Sequence, residues 1–418
     1  MRPMKDSGVE WLGEVPEGWS LTRLGGVFRE RRQQVNVDDF APLSVTKAGI
    51  VPQLASAAKS DAKDKRKLVK NGDFVINSRS DRKGSSGLAS TDGSTSLIYI
   101  VIEPKSISGK FSHHLLRCRA FQEEFFRWGT GIVDDLWSTR YTAMKMILLP
   151  IPPVAEQASI SAYLDQETSR IDTLISKKEQ LIEKLLERKQ ALITQVVTKG
   201  LDPNVPMKDS GVEWLGEVPE NWKIVRIGAV AELVNGFPFD SDKFFPEGQI
   251  PLVRIRDLLA EDFKTFLASK SDIPSERYLI ANGDLAIGMD GDFNSILWKR
   301  GIAAVNQRVC FLRFEKQLEA KFASFVIPLA LKQINEVTYS TTVKHLSSGQ
   351  IVKIPIPLPP FSMLGTIVEI LETETSQIDI LVEKTRRAIE LLKERHQALI
   401  TQVVTGKIDV RGFAGGNS

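Results

Sequence analysis

Met4-Lys5-Asp6-Ser7-Gly8-Val9-Glu10-Trp11-Leu12-Gly13-Glu14-Val15-Pro16-Glu17-Gly18-Trp19 recurs as Met207 through Trp222, with Asn221 in place of Gly18 as the only change. Chance does not produce such an identity, so the chain is a duplication and its fold is two copies of one plan. Further echoes follow on either side. Asn71-Gly72-Asp73-Phe74-Val75-Ile76 returns as Asn282-Gly283-Asp284-Leu285-Ala286-Ile287, the pattern of a turn entering a strand. Pro150-Ile151-Pro152-Pro153 matches Pro357-Leu358-Pro359-Pro360, and Glu187 through Thr198 matches Glu394 through Thr405 except at Lys189/His396. The stretches between these frames differ freely, which suggests one scaffold displaying two different specificities.

Between Pro153 and Thr198 there is no Gly or Pro, and Leu164, Ile171, Lys178, Leu185 and Leu192 stand seven apart. Ile160, Leu174 and Leu181 fill the companion d-like positions, with Ile175, Ile182 and Val196 on the adjoining edge. The second copy has Leu371, Ile378, Thr385, Leu392 and Leu399, flanked by Ile367, Leu381 and Ala388. Each stretch predicts an amphipathic helix of roughly 60 Å at about 1.5 Å per residue, longer than a small domain needs for its own core. The apolar seams favour an antiparallel pair related by a pseudo-two-fold axis, with a globular unit at each end of a rod. Lys178 and Thr385 suit a two-helix seam better than an enclosed core. The globular parts read as mixed α and β. Leu97–Ile102, Ala303–Val305 and Val309–Leu312 are strand-like, whereas Phe111–Arg119 and Phe322–Val337 are helical.

At 418 residues the chain is too long for one ordinary core. Hydrophobic residues at 42% and charged residues at 26% are ordinary globular values. No run of about 18 apolar residues occurs, and Met1-Arg2-Pro3-Met4-Lys5-Asp6 starts no signal peptide, so a cytoplasmic protein is expected. Cys118 and Cys310 are too few for a disulfide framework and read as buried small hydrophobes. The net charge of +3 is mild, but residues 1–150 carry 23 Lys+Arg against 17 Asp+Glu, while 207–356 carry 18 against 19. If the second half touches DNA, it does so through a local patch.

The frames resemble, across nearly the whole chain, the specificity subunit of type I restriction-modification systems. The duplicated opening, the Gly-Asp-Phe/Leu turn, and the proline runs at Ile147–Pro153 and Ile354–Pro360 carry the resemblance. So do Thr168-Ser169-Arg170-Ile171-Asp172 and Thr375-Ser376-Gln377-Ile378-Asp379, with Gln-Ala-Leu-Ile-Thr at the end of each helix. The resemblance implies an α+β protein. Two pseudo-symmetric mixed α/β target-recognition domains, 1–153 and 204–360, are separated by two long antiparallel coiled-coil helices, 154–203 and 361–405, with a tail at 406–418. It further implies partners: double-stranded DNA read as two half-sites in the major groove, two modification (methyltransferase) subunits docked on the helices, and a restriction/translocase subunit outside. The sequence departs from the family pattern in one place. Glu156-Gln157 keeps the Glu-Gln pair after the double proline, whereas the second copy has Met363-Leu364.

The sequence lacks the catalytic motifs that restriction and modification chemistry need. There is no Asn/Asp-Pro-Pro-aromatic methyltransferase pocket, since Pro152-Pro153 and Pro359-Pro360 follow Ile and Leu, and no Gly-x4-Gly-Lys-Ser/Thr loop. Asp73 with Asp81-Arg82-Lys83 is the best nuclease-like group, and a turn carboxylate before a polar loop is the simpler account. His113, His114, His345 and His396 show no ligand spacing. A non-catalytic chain without cofactor or metal of its own is expected, with S-adenosylmethionine, ATP and magnesium used by partner subunits. A self-contained nuclease and a coiled-coil adaptor that binds no DNA are the alternatives.

A base reader needs two-pronged hydrogen-bonding side chains beside phosphate anchors. The first unit offers Arg79, Ser80, Arg82 and Lys83 in the loop Asn77–Ser86, then Trp137, Thr139, Arg140 and Tyr141. Lys59, Lys63, Lys65, Arg66, Lys67 and Lys70 are either phosphate anchors or a solvated face. The corresponding candidates in the second unit are Arg254 and Arg256, Asn294 within Asp290–Asn294, and Tyr339, Thr341, Thr342 and Lys344 ahead of the proline run.

Overall fold

The structure is a computed structural model, and it describes residues 2–55, 65–131, 137–337 and 344–413. The chain divides into two compact units, Met1–Gln180 with Arg386–Ser418, and Leu181–Thr385. Each long helix therefore gives one half of itself to each unit. Among the described residues no helix is long and apolar enough to cross a membrane.

The repeated frame is the same in both units. The opening repeat folds as a small antiparallel ladder, Met4–Asp6 on Glu14–Pro16 and Met207–Asp209 on Glu217–Pro219. It delivers Trp19 and Trp222 into the cores. The strand after each Trp pairs with the proline run, Ser20–Arg23 with Leu148–Ile151 and Lys223–Arg226 with Pro355–Leu358. A four-stranded antiparallel sheet also repeats. Its spatial order is Ser86–Leu88, Phe74–Asn77, Tyr99–Pro104, Phe28–Glu30 in one unit. In the other it is Ser295–Leu297, Leu285–Gly288, Val309–Phe314, Ala231–Asn235. The mixed α and β class is thus what the strand and helix patterns predicted, with shifts at the edges. The first unit's strand starts at Tyr99, because Leu97 faces water, and its helix breaks at Cys118 into Gly109–Arg117 and Arg119–Arg127.

The layer over each sheet differs. The first unit has Gln34–Val35, Arg66–Val69 and Gly93–Ser96, all antiparallel, and a separate hairpin of Leu43–Thr46 on Gly49–Pro52. The second has Ile250–Val253, Phe266–Leu267, Leu279–Ile280 and Ala303–Val305, including a parallel pair between Ile250–Val253 and Ala303–Val305. A shared frame therefore carries two unlike layers.

The helices run Val154–Lys199 and Phe361–Val404. Prolines on the preceding strands end the pairing there, and glycines close the far ends: Gly200 (φ +72°) and Gly406 (φ +78°) take the left-handed conformation that suits a helix stop. Space is tight at Gly200 and excludes a side chain at Gly406. A Cβ on Gly200 would come within 3.3 Å of Trp222, and one on Gly406 within 2.5 Å of Pro16.

Within each unit the helix halves pack antiparallel. In the first, Ile160 and Leu164 share a core with Ile400, Val403 and Val404. In the second, Val196 and Val197 share one with Leu364, Ile367 and Leu371. The seven-spaced row is buried at Leu164, Ile171, Leu371, Ile378 and Thr385. The d-like assignment needs correction. Leu174, Leu181 and Leu381 are 41%, 44% and 49% exposed, while Val382 and Ile389 are buried and Ile175 and Ile182 half-buried. Ile160 and Ile367 of the d-like set are buried and Ala388 is half-buried, but along the middle of the helices the seam joins the row to the residues four positions after it, and Leu174, Leu181 and Leu381 face outward because only one of the two flanks can meet the partner helix there.

Ion pairs repeat with altered chemistry. His114 Nε2 contacts Asp165 at 2.8 Å and His396 lies 3.7 Å from Asp172. At the equivalent places Lys321 binds Glu372 at 3.0 Å and Lys189 binds Asp379 at 2.6 Å. Three of the four histidines therefore gather beside the helices of the first unit. Burial, then Arg117 and His114, push His113 down to about 4, and burial also lowers His114 against the opposing pull of Asp165.

The Glu-Gln departure is absorbed inside the unit. Glu156 is buried, accepts the indole N–H of Trp19 at 3.0 Å and pairs with Arg2, whose other guanidinium nitrogen reaches the Gly406 carbonyl at 3.0 Å. Gln157 bridges the Ser108 N–H and the Pro152 carbonyl. In the second unit Met363 and Val205 take the places of Glu156 and Arg2, and the Trp222 Nε1–H has no partner among the described residues. Asn221, the one change in the opening repeat, lies beside Met363 with its Nδ2 3.8 Å from the sulfur.

Two outcomes follow from these pairs. Trp19→Phe should destabilise the protein by about 1–3 kcal/mol more than Trp222→Phe in urea titrations, because only Trp19 serves a buried carboxylate. His113 is depressed in the folded state, so its contribution is present above about pH 6.5 and is lost as pH falls toward about 4. Stability should drop across that window by up to ~3 kcal/mol, and His113→Phe should flatten that part of the profile.

Candidate nucleic-acid interface

In the first unit, the strand Phe74–Asn77 ends where the Asn77 side-chain oxygen Oδ1 accepts the Arg79 N–H at 2.9 Å, an Asx turn that leads into the 3-10 turn Ser80–Arg82. The stretch nominated some sixty residues later meets it. Thr139 N–H donates to the Ser78 carbonyl at 2.9 Å, and Arg79 bridges to Ser138. Arg79, Arg82 and Arg140 are exposed, and Lys83 rides 5.0 Å over the Phe126 ring.

The other candidates of this group turn their polar atoms inward. Thr139 is fully buried, its hydroxyl donating to the Phe125 carbonyl at 2.7 Å. Trp137 Nε1–H donates to the Phe126 carbonyl at 2.9 Å, and the Tyr141 hydroxyl donates to the Phe28 carbonyl at 3.3 Å, its pKa raised by burial. These three hold the loop in place while the arginines project.

The second unit repeats the arrangement with other residues. Gly291 N–H donates to the Lys344 carbonyl at 3.2 Å, and Leu346 N–H to the Met289 carbonyl at 2.7 Å. Phe293 is buried at φ +51°, a left-handed turn that leaves Asn294 exposed. Asp290 gathers His345 at 2.7 Å and Arg308 at 3.3 Å. Arg308 carried no sequence signal, being a single arginine in a turn. Arg254 is tied to Asp257 at 2.9 Å and to Thr265, and Arg256 projects, 69% exposed. Ile255 between them faces Gly288, where a Cβ would come within 3.2 Å of it, so this turn abuts the loop. Lys344 spends its ammonium on the Asn335 carbonyl at 2.8 Å. Tyr339, Thr341, Thr342, Lys59 and Lys63 lie outside the described residues.

The nuclease-like aspartate is a turn residue. Asp73 is buried, accepts the Lys70 N–H at 2.8 Å and binds Arg31 through both oxygens at 2.7 and 3.0 Å. Asp284 does the same for Ala281 N–H and Arg313. Among the described residues no cluster of three or more His, Cys, Asp or Glu gathers to hold a metal. Cys118 and Cys310 are buried free thiols pushed up to about 12 by burial.

The family model described as "Type I restriction modification DNA specificity domain" matches residues 219–391. The specificity subunit of the type I restriction enzyme EcoBI from Escherichia coli is 35% identical over 202 residues, which is 48% of this chain and 42% of that protein. The specificity subunit of MjaVIII from Methanocaldococcus jannaschii is 22% identical over 96% of this chain and 95% of its own. The chain is similar to the specificity subunits of type I restriction-modification systems, and its second half matches their DNA specificity domain. A chain solved in work on complex assembly and conformational transition of the type I R-M system shares the fold, with a TM-score of 0.76 at 16% identity, over 94% of this chain and 99% of that one. The family model spans the second layer and most of the second helix.

The division between supporting and projecting side chains can be measured. Thr139→Val should cost about 1–3 kcal/mol by leaving a buried carbonyl unpaired. Arg140→Ala, at an exposed position, should stay within about 0.5 kcal/mol of the parent in the same denaturation experiment.

Proposed function

We propose that this chain is the non-catalytic, DNA-reading subunit of a type I restriction-modification complex that methylates adenine. Residues 1–153 and 204–360 act as target-recognition domains, each reading one half of a bipartite duplex target in the major groove. The helices 154–203 and 361–405 set the spacing and dock two modification subunits, and a restriction subunit joins from outside. S-adenosylmethionine, ATP and magnesium serve those partners, while this chain supplies the address.

One observation carries the reading: the same frame in both units presents a different loop at the same place, joined each time to the segment ahead of the last strand. A frame that repeats around changing loops is what two interchangeable readers need. Docking is supported by faces that repeat without a packing reason. Glu187, Gln190 and Ala191 are exposed in the second unit, and the identical Glu394, Gln397 and Ala398 are exposed in the first. Leu174 and Leu391, and Leu181 and Ile380, add outward apolar surface of the kind a partner covers.

Two experiments test this function. Deleting the gene from its host should remove one split, adenine-methylated motif from the methylome, and loss of no motif would count against DNA reading. Inserting one heptad after Leu185 keeps the seam's period and adds about 10 Å, roughly three base pairs. The spacer should lengthen, or activity should be lost if the second helix cannot follow; full activity at unchanged spacing would mean that the helices set no distance.

A further inference from the structure

A cleft of about 400 Å³ opens in the first unit between the hairpin that starts at Leu43 and the loop after Phe74–Asn77. Asn77 lines it and is only 2% exposed. The bond from the Arg79 N–H fixes the orientation of its amide, because a reversed amide would set N–H against N–H. The side-chain Nδ2 is thereby left with its donors inside the fold and no acceptor among the described residues. A buried donor of this kind is unfavourable unless something brings the missing acceptor.

The surroundings say what that something is. Val45, Ile98 and Tyr99 give the cleft apolar walls, while Arg79, Arg82 and Asp81 stand at it as mixed charges and Arg66, also in its lining, spends its guanidinium on the Ser94 hydroxyl and carbonyl. The arginines at the rim suit a phosphate nearby, but a phosphate inside gains nothing from the apolar walls and brings its charge beside Asp81. A base edge in the major groove carries acceptors beside apolar groups such as the thymine methyl, and matches both features.

We propose that Asn77 is a specificity-determining residue of the first unit, its side-chain amide donating to an acceptor on one base of that unit's half-site: a purine N7, guanine O6 or thymine O4. This rests on the DNA-reading function argued above. The contact is private to one half-site, since the place of Asn77 in the second unit is taken by Gly288, which has no side chain to offer.

Asn77→Asp tests the assignment directly. It is close to isosteric and keeps an oxygen for the Arg79 N–H, but turns the unpartnered donor into an acceptor. In cells carrying the complete system, methylome sequencing should show one position of one half-site shifted about tenfold toward a base that offers a donor, adenine N6 or cytosine N4, with the other half-site unchanged. An unchanged motif at full activity would overturn the proposal. So would a uniform loss of binding to all sequences with a shallower salt dependence, which is the mark of a phosphate contact. If the Asp variant fails to accumulate, the exposed Arg79→Ala variant stands in. It should relax the same half-site, and an unaltered motif or a change in the other half-site would contradict the proposal. A parent system that writes no bipartite motif would remove the DNA-reading function itself, a failure seen without any variant and so distinct from failure of Asn77.

Discussion

Everything in this chain hangs on an apolar seam that neither long helix can keep dry alone. In the first unit the start of one helix covers the end of the other, through Ile160 and Leu164 against Ile400 and Val403. In the second, Val196 and Val197 meet Ile367 and Leu371. The seam does not stop at the helices. It runs into the same cores that hold Trp19 and Trp222, so a globular module cannot slide along its helices without opening a hydrophobic core. Asp172 beside His396 marks the register of the helix pair in the first unit, and Lys189 beside Asp379 marks it in the second. Position along the helices is thereby coupled to the position of whatever the modules present.

The frame of the fold was legible in the sequence because duplication printed it twice. Both opening ladders, both turn-to-strand entries and both helices lie where the echoes put them. The finer reading of the seam was not legible. The rows through Leu174 and Ile175 compete at the same period, since Leu181 follows the one and Ile182 the other at a seven-residue spacing, and only the path of the partner helix decides that Leu174 faces water. The interface was legible as segments and not as side chains. The loop after Asn77 and the stretch around Thr139 do meet, yet Thr139, Trp137 and Tyr141 spend their polar atoms on backbone carbonyls. Residue type gives the capacity to bond, whereas the direction of a side chain depends on strands distant in sequence. Arg308, and the Asn77 Nδ2 that has no acceptor among the described residues, needed that tertiary context to be noticed at all.

The two copies have also parted in chemistry. Where the first unit pairs His114 and His396 with carboxylates, the second uses Lys321 and Lys189, and among the described residues burial lowers the imidazoles of His113 and His114 in the first unit. Glu156 ties Arg2 and Trp19 together in the first unit. In the second the corresponding place is apolar, and the chain there is covalently continuous from the first helix into the opening ladder. The differences sit in how each module is fastened and in the layer over its sheet, and the topology of the four-stranded sheet itself is unchanged.

Modularity is the property on which all of this turns. Residues 207–356 can be exchanged, within the full chain and the complete system, for the equivalent segment of a relative that reads a different target, and the methylated motif determined by sequencing. One half of the motif should be replaced while the other half and the spacing persist, because the first unit's recognition layer and both helices are untouched. A change in both halves would contradict the account, since the two layers would then not be independent readers on a common frame.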